Sequence, residues 1–299
     1  MTAPSRDRRE SREARRRGGH VSARLLLAAL LAAVLCLAAV AGACGSSTAS
    51  SAESPAAASP AATVSLTDAE KAYLAGKGTL TVGAFNDYAP YGFVDEKGAA
   101  TGISVDYWKL VAQRLGVKVV FTPVLFADQL DGLKKGRFDT LAGIFPLPER
   151  KQWFAFSRPF TTIDTRIYAG AGATGLTTLK ALKGAPGAKV AVVKGDSSQQ
   201  IADAAGLTTL VVKGYPQAVR AVASGAAQAM ILDQMVADYY VAQFKVADKV
   251  KPVGKPVATG QMTLPVRKDD AVLLGILDKG VAMVGVSEFE AIYQKWMGR

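Results

Sequence analysis

Between residues 79 and 139 strand-like and helix-like segments alternate, and no other feature limits the possible folds as much. Thr79-Leu-Thr-Val-Gly83 reads as a strand. Residues 102–116 carry apolar side chains at helical spacing and stop on Gly116, the pattern of an amphipathic helix. A buried strand follows over 117–124, then a helix over 128–135 that breaks at Gly136. Strands joined by helices in this way predict a parallel sheet covered on both faces. Thr67-Asp-Ala-Glu70 is a capping box that opens a further short helix ending near residues 76–78.

The pattern returns downstream. Lys189-Val-Ala-Val-Val193 is a strand that runs into Lys194-Gly-Asp-Ser-Ser198 and a helix, and Ala227-Gln-Ala-Met-Ile-Leu-Asp233 is another strand. Residues 129–139 and 218–228 echo each other as helix, glycine (Gly136 or Gly225), strand, as two similar α/β lobes would. Extended runs over 161–172 and 256–266 travel in opposite directions between these units and read as a two-strand hinge. Residues 268–285 and 287–296 read as closing helices, the second opened by a capping box in which Ser287 caps and Glu290 reaches back.

The N-terminus is an address. Eight arginines between Arg6 and Arg24 precede the apolar run 25–43, which carries the rest of the chain across a membrane. Its length also suits a single span, so length alone leaves both readings open. Residues 45–63 hold almost no large apolar side chain and read as a flexible tether. The only histidine, His20, and the only cysteines, Cys36 and Cys44, all fall in or at the end of the leader. Histidine catalysis, a Cys/His zinc site and a disulfide are therefore excluded for the remaining domain. Totals of 36 basic and 25 acidic residues, less the eight arginines and Asp7, Glu10 and Glu13, leave 28 and 22, a mild excess of +6. Without basic blocks or interleaved aromatics this makes no case for nucleic acid.

Chemistry concentrates in residues 138–160, FDTLAGIFPLPERKQWFAFSRPF. An alternating apolar run breaks at Pro-Leu-Pro, presents Arg150, and resumes as a strand-like run, placing one guanidinium and backbone N–H groups around a spot suited to an anion. Solvated charges at Glu149 and Arg150 on a surface turn are the plainer reading. Asp139, Pro148-Glu149-Arg150, Phe156-Ser157 and Pro159-Phe160 resemble the D…PER…FS-x-P-[YF] block of the family 3 extracellular solute-binding proteins, and the resemblance runs with gaps from about Leu66 to Trp296. These are amino-acid receptors of ABC importers and related sensing domains.

That resemblance implies a two-lobed, periplasmic-binding-protein-like type II fold, each lobe a mostly parallel sheet flanked by helices and joined by a two-strand hinge. It divides the chain into a leader over 1–43, a tether over 44–65, lobe 1 over 66–168 and 258–299, and lobe 2 over 169–257. Gly42 and Ala43 before Cys44 resemble a lipobox with Ala41 in place of the usual leucine, which implies a diacylated Cys44 and an extracytoplasmic, membrane-anchored monomer. Arg150 is implied to grip a ligand carboxylate, Asp233 its ammonium, and Tyr88 to cover it. Ser197 or Ser198, in a turn like the family's V-x-x-G-[TS]-[TS], supplies a hydroxyl, while Gly195 lets the backbone approach. Phe85, Phe126 and Gly143 complete the expected ligand-binding set. Each has a plainer reading: a core or rim tyrosine for Tyr88, a helix cap for Asp233 and for the serines.

The implied function is capture of a small amino acid or organic acid for an ABC permease, with no cofactor. A sensing domain and an enzyme like the cyclohexadienyl dehydratases are the alternatives. Where the family often has hydroxyls ahead of the arginine, this chain has Gly143, Phe145, Pro146 and Leu147. The greasier wall favours an aromatic or larger organic acid, or a sensing role.

Overall fold

The computed structural model describes residues 64–297, which fall in one compact unit. The expected leader, the lipidated Cys44 and most of the 44–65 tether lie outside the described residues. Among the described residues no helix is long and apolar enough to cross a membrane.

Helix α1 (Asp68–Lys77) opens with the expected capping box: the Thr67 N–H donates to Glu70 Oε2 at 2.7 Å and the Glu70 N–H to Thr67 Oγ1 at 3.3 Å. Strand β1 (Thr79–Phe85) leads to a small antiparallel sheet of β2 (Asp87–Tyr88), β3 (Gly92–Val94) and β4 (Ala100–Thr101). Helix α2 (Ile103–Leu115) buries Val105, Trp108, Val111 and Leu115 and stops on Gly116 at φ 67°, a left-handed cap that glycine adopts without strain. Next come β5 (Lys118–Val124), α3 (Phe126–Lys134), β6 (Thr140–Leu141) and β7 (Phe154–Phe156). The second lobe holds β8 (Thr161–Gly170), α4 (Leu179–Gly184), β9 (Val190–Val193) and α5 (Ser197–Ala204). It continues through β10 (Thr209–Val212), α6 (Tyr215–Ala223), β11 (Ala229–Asp233), α7 (Gln234–Gln243) and β12 (Val250–Met262). Strand β13 (Pro265–Arg267), α8 (Ala271–Ala282) and α9 (Val286–Met297) return to the first.

The sheet orders are β5-β1-β6-β13-β7 and β10-β9-β11-β8-β12. In each, one strand pairs in parallel with two others, β1 with β5 and β6 and β9 with β10 and β11, as helical crossovers require. The sheets are mixed, because β13 and β8 reach theirs by extended connections and pair antiparallel with both neighbours. The two echoing segments fall at matching places, α3 to β6 in one sheet and α6 to β11 in the other.

Continuous apolar runs follow from burial on both faces. Val190, Val192, Ala229 and Ile231 pack with Leu182 and Ala202, while Ala191, Val193, Met230 and Leu232 face the main core with Val219 and Val236. Residues 157–160 and 263–264 link the two sheets, tied by the Phe160 N–H to the Met262 carbonyl at 2.9 Å and the Ser157 N–H to the Leu264 carbonyl at 3.0 Å. The crossings are thus shorter than the expected runs 161–172 and 256–266, and residues 161–168 and 258–262, expected in lobe 1, pair in the second sheet. One expected cap is displaced. Helix α9 starts at Val286, where the Gly285 N–H donates to Glu288 Oε2 at 3.0 Å, and Glu290 instead accepts from Gln294. Glu288 reaches back to the Gly285 N–H and starts the helix ahead of Ser287, which leaves Ser287 inside it.

Candidate functional site: a cavity between the lobes

Asp233 ends β11 at the N-cap position of α7, yet its side chain does not cap that helix. Oδ1 accepts from Thr165 Oγ1 at 2.6 Å, and Oδ2 accepts a short hydrogen bond from the Tyr88 hydroxyl of the opposite lobe. The plain cap reading is thus replaced by a carboxylate aimed between the lobes. Tyr88 is itself 2% exposed, its ring 4.5 Å from Phe85 and 4.7 Å from Tyr215.

Arg150 is not a solvated surface charge, because only 5% of it is exposed. It sits in the turn after Pro148, where its N–H donates to the Leu147 carbonyl at 2.9 Å. Its Nη1 donates to the Phe145 carbonyl at 2.9 Å, and Nη2 crosses to the Gly195 carbonyl of the second lobe at 3.2 Å. Its Nε has no acceptor, and Phe126 lies under the guanidinium at 5.2 Å. A buried donor without a partner is costly unless something else meets it.

Arg150, Asp233, Tyr88, Phe85 and Phe126 line one cavity together with Ile144, Phe145, Asp196, Tyr215 and Met262. Gly143, Ser197 and Ser198 do not line it. Gly143 packs against Met262 instead, and a Cβ there would come within 2.8 Å of the methionine sulfur. The α5 N-cap is Asp196 rather than a serine, since its Oδ1 accepts the Ser198 N–H at 2.9 Å. Ser197 Oγ donates to the same oxygen at 3.3 Å, and Ser198 Oγ is buried without a partner. An acid one position ahead of the serines outcompetes them, reaching the second N–H of the helix. Gly195 is required by its left-handed φ of 75° and not by crowding, since a Cβ would touch nothing within 4 Å.

Three groups missing from the sequence expectation shape the cleft. Tyr215 donates from its hydroxyl to Asp196 Oδ2 at 3.0 Å. Asp87 of the first lobe accepts the Tyr215 backbone N–H at the start of α6, a carboxylate at a helix N-terminus. Its carbonyl also accepts from the Tyr240 hydroxyl of the second lobe at 2.6 Å. An aspartate just before a helical run was a readable cap signal for Asp196. Nothing local marks Tyr215 or Asp87, whose partners lie far away in sequence.

Burial, reinforced by the charge of Asp196, raises the Asp233 carboxyl to about 7 against the opposing bonds from Thr165 and Tyr88. Asp87 is raised by burial to about 6. Burial also lowers Arg150 from its ordinary value and pushes the Tyr88 and Tyr215 hydroxyls well up. The cavity leaves only about 10 Å³ for the centre of a water-sized sphere, roughly one water's room. Anything larger enters only if the lobes part. Among the described residues no cluster of acids, histidines or cysteines is arranged to hold a metal.

The model of the bacterial extracellular solute-binding proteins, family 3, matches residues 80–299. A probable amino-acid ABC transporter-binding protein of Haemophilus influenzae is 34% identical over 164 residues, 54% of this chain and 63% of that protein. The matched part therefore spans less than two thirds of that relative. Among solved structures, an ancestral arginine-binding protein bound to glutamine is 33% identical, with a TM-score of 0.66 over 74% of this chain and 99% of the other. A histidine kinase sensor domain with similarity to periplasmic binding proteins is 26% identical, with a TM-score of 0.69 over 74% of this chain and 96% of the other.

Proposed function

The chain belongs to the family 3 bacterial extracellular solute-binding proteins and has their two-lobed type II fold, and we propose that it captures a small solute bearing an ammonium and a carboxylate between its lobes. The single observation that carries this is the pairing across one cavity of Asp233, turned away from its own helix, with Arg150, whose Nε lacks an acceptor. An ammonium replaces the Tyr88 hydroxyl at Asp233, and a carboxylate meets Arg150. Closure excludes water and strengthens both contacts.

The lobes part to admit the solute and close on it by bending at residues 157–160 and 263–264, and the closed form delivers it to an ABC permease. Cys44 carries the lipid that holds the protein on the outer face of the membrane. Arg150, Asp233, Tyr88, Phe85 and Phe126 are the contacts we assign to the solute, with Asp196 and Tyr215 added. Gly143, Ser197 and Ser198 stand behind this wall.

A thermal-shift screen of the full-length protein against amino acids and organic acids tests the reading. A solute at about 100 times its dissociation constant adds about 2.7 kcal/mol. The absence of any shift across the screen overturns capture. Likeness to a kinase sensor domain supports a second reading, sensing without transport. Uptake of the bound solute that persists in cells lacking this protein favours sensing. Turnover of prephenate would replace both readings with catalysis, for which Asp233 and Asp196 are the acids in the cavity.

A further inference from the structure

The cavity holds one acid more than a zwitterion needs. Asp196 and Asp233 line the same space, 6% and 2% exposed, against the single guanidinium of Arg150. Every hydrogen bond that Asp196 receives comes from a neutral group, the Ser198 N–H, Ser197 Oγ and the Tyr215 hydroxyl, and the Arg150 charge acts on it without a direct bond. No lysine or arginine among the described residues comes within ion-pairing distance of it, and Arg150 spends two of its nitrogens on the Phe145 and Gly195 carbonyls. With both carboxylates charged, the formal count is one negative charge in excess, among side chains that are all buried. A buried charge without a counter-charge is strongly unfavourable, so the partner is to be expected from the solute. Five aromatic rings, Phe85, Tyr88, Phe126, Phe145 and Tyr215, line the same space, and ring faces attract cations. The orphan Nε of Arg150, buried in the same wall, asks independently for an oxygen acceptor.

We propose that the solute carries a net positive charge, with cationic groups answering Asp233 and Asp196 and an oxygen acceptor on Arg150 Nε, and that Asp196 is the residue that selects for this charge. The proposal rests on the reading that the cleft captures a solute, and it narrows the class to small basic amino acids and their close analogues. A neutral amino acid leaves Asp196 uncompensated. An acidic one adds a third negative charge.

Titration calorimetry of the full-length protein in detergent, with four probes, decides it. Arginine has net charge +1, glutamine is neutral, glutamate is −1, and agmatine is a cation without a carboxylate. The expected order is arginine first, glutamine weaker by roughly 30-fold or more, and glutamate without measurable binding. Agmatine should bind more weakly than arginine, and equal or tighter binding overturns the role given to Arg150 Nε. Asp196→Asn keeps a side chain that caps α5 equally well. It should weaken arginine roughly 30-fold and tighten glutamine, erasing the preference. Asp196→Ser, which also caps, gives the same test if the first variant folds poorly. Glutamine or glutamate binding more tightly than arginine overturns the proposal, and so does a variant that changes all probes alike. If none of the four binds, the charge proposal fails. The broader thermal-shift screen then separates the two ideas: a neutral or acidic hit there keeps capture, and no hit at all removes it.

Discussion

Gly214→Ala should wedge the lobes apart without disturbing either one. Gly214 has φ −151° and ψ 169°, extended backbone that any residue adopts, so the chain itself accepts alanine. The added Cβ, however, would lie 2.0 Å from Asp87 Oδ2 of the facing lobe and 2.8 Å from Gln217 Oε1. The first distance is 1.4 Å short of the 3.4 Å at which ordinary contact begins. Asp87 is not free to swing clear, because its carboxylate holds the Tyr215 N–H. Backing the lobes off by that amount stretches the 2.6 Å bond from Tyr240 to the Asp87 carbonyl to about 4.0 Å, no longer a hydrogen bond. Overpacking together with the lost bond costs the closed form about 2–4 kcal/mol. Since the solute draws on the closed population, affinity should fall roughly 30- to 1,000-fold. Calorimetry measures this loss, and small-angle scattering should show a less compact protein. Gly184→Ala, where a Cβ meets nothing within 4 Å, is the control in the same lobe. A Gly214→Ala protein that binds and scatters like the parent refutes the reasoning.

Two further outcomes are expected. The Asp233 carboxyl is raised in the folded protein, so the stability it contributes is complete below about pH 4 and is lost as pH rises through about 7. Solute-free protein should therefore melt at higher temperature at pH 5 than at pH 8. The loss of stability between these two conditions is at most about 3 kcal/mol, because lobe opening also relieves the burial. Asp233→Asn should remove most of this slope, leaving the same-sign part from Asp87, and an unchanged slope in a scanning fluorimetry series contradicts the assignment. Cys44→Ser should release the protein from membranes with solute binding intact. A variant that still sediments with membranes identifies residues 25–43 as an uncleaved span.

The fold was legible because burial on both faces writes itself into local sequence. Runs such as Val190-Ala-Val-Val193 and Ala229-Met-Ile-Leu232 need apolar side chains at every position, and the glycines after α3 and α6 mark where each helix turns back. Strand direction was less legible. Nothing within 161–170 tells an antiparallel partner from a parallel one, since the choice depends on the route of the connection. Within the site, Arg150, Asp233 and Tyr88 are expected from residue patterns that resemble a family, and the structure brings them to one cavity. Asp196 is hard to single out in the sequence, because the Gly-Asp-Ser-Ser turn offers two hydroxyls beside it. Tyr215 reaches Asp196 from another element of the same lobe, 19 residues away, and Asp87 meets Tyr240, 153 residues away, only where the lobes touch. No local pattern encodes that meeting.

The most direct test of capture by Arg150 and Asp233 is calorimetry of Arg150→Ala and Asp233→Ala with the solute that gives the largest thermal shift. Each substitution leaves one solute charge buried without its partner, and each should cost about 2–5 kcal/mol of binding. A severe loss in Arg150→Ala with a neutral effect of Asp233→Ala would identify an acid without an amine. Arg150→Ala binding that solute as tightly as the parent contradicts the account.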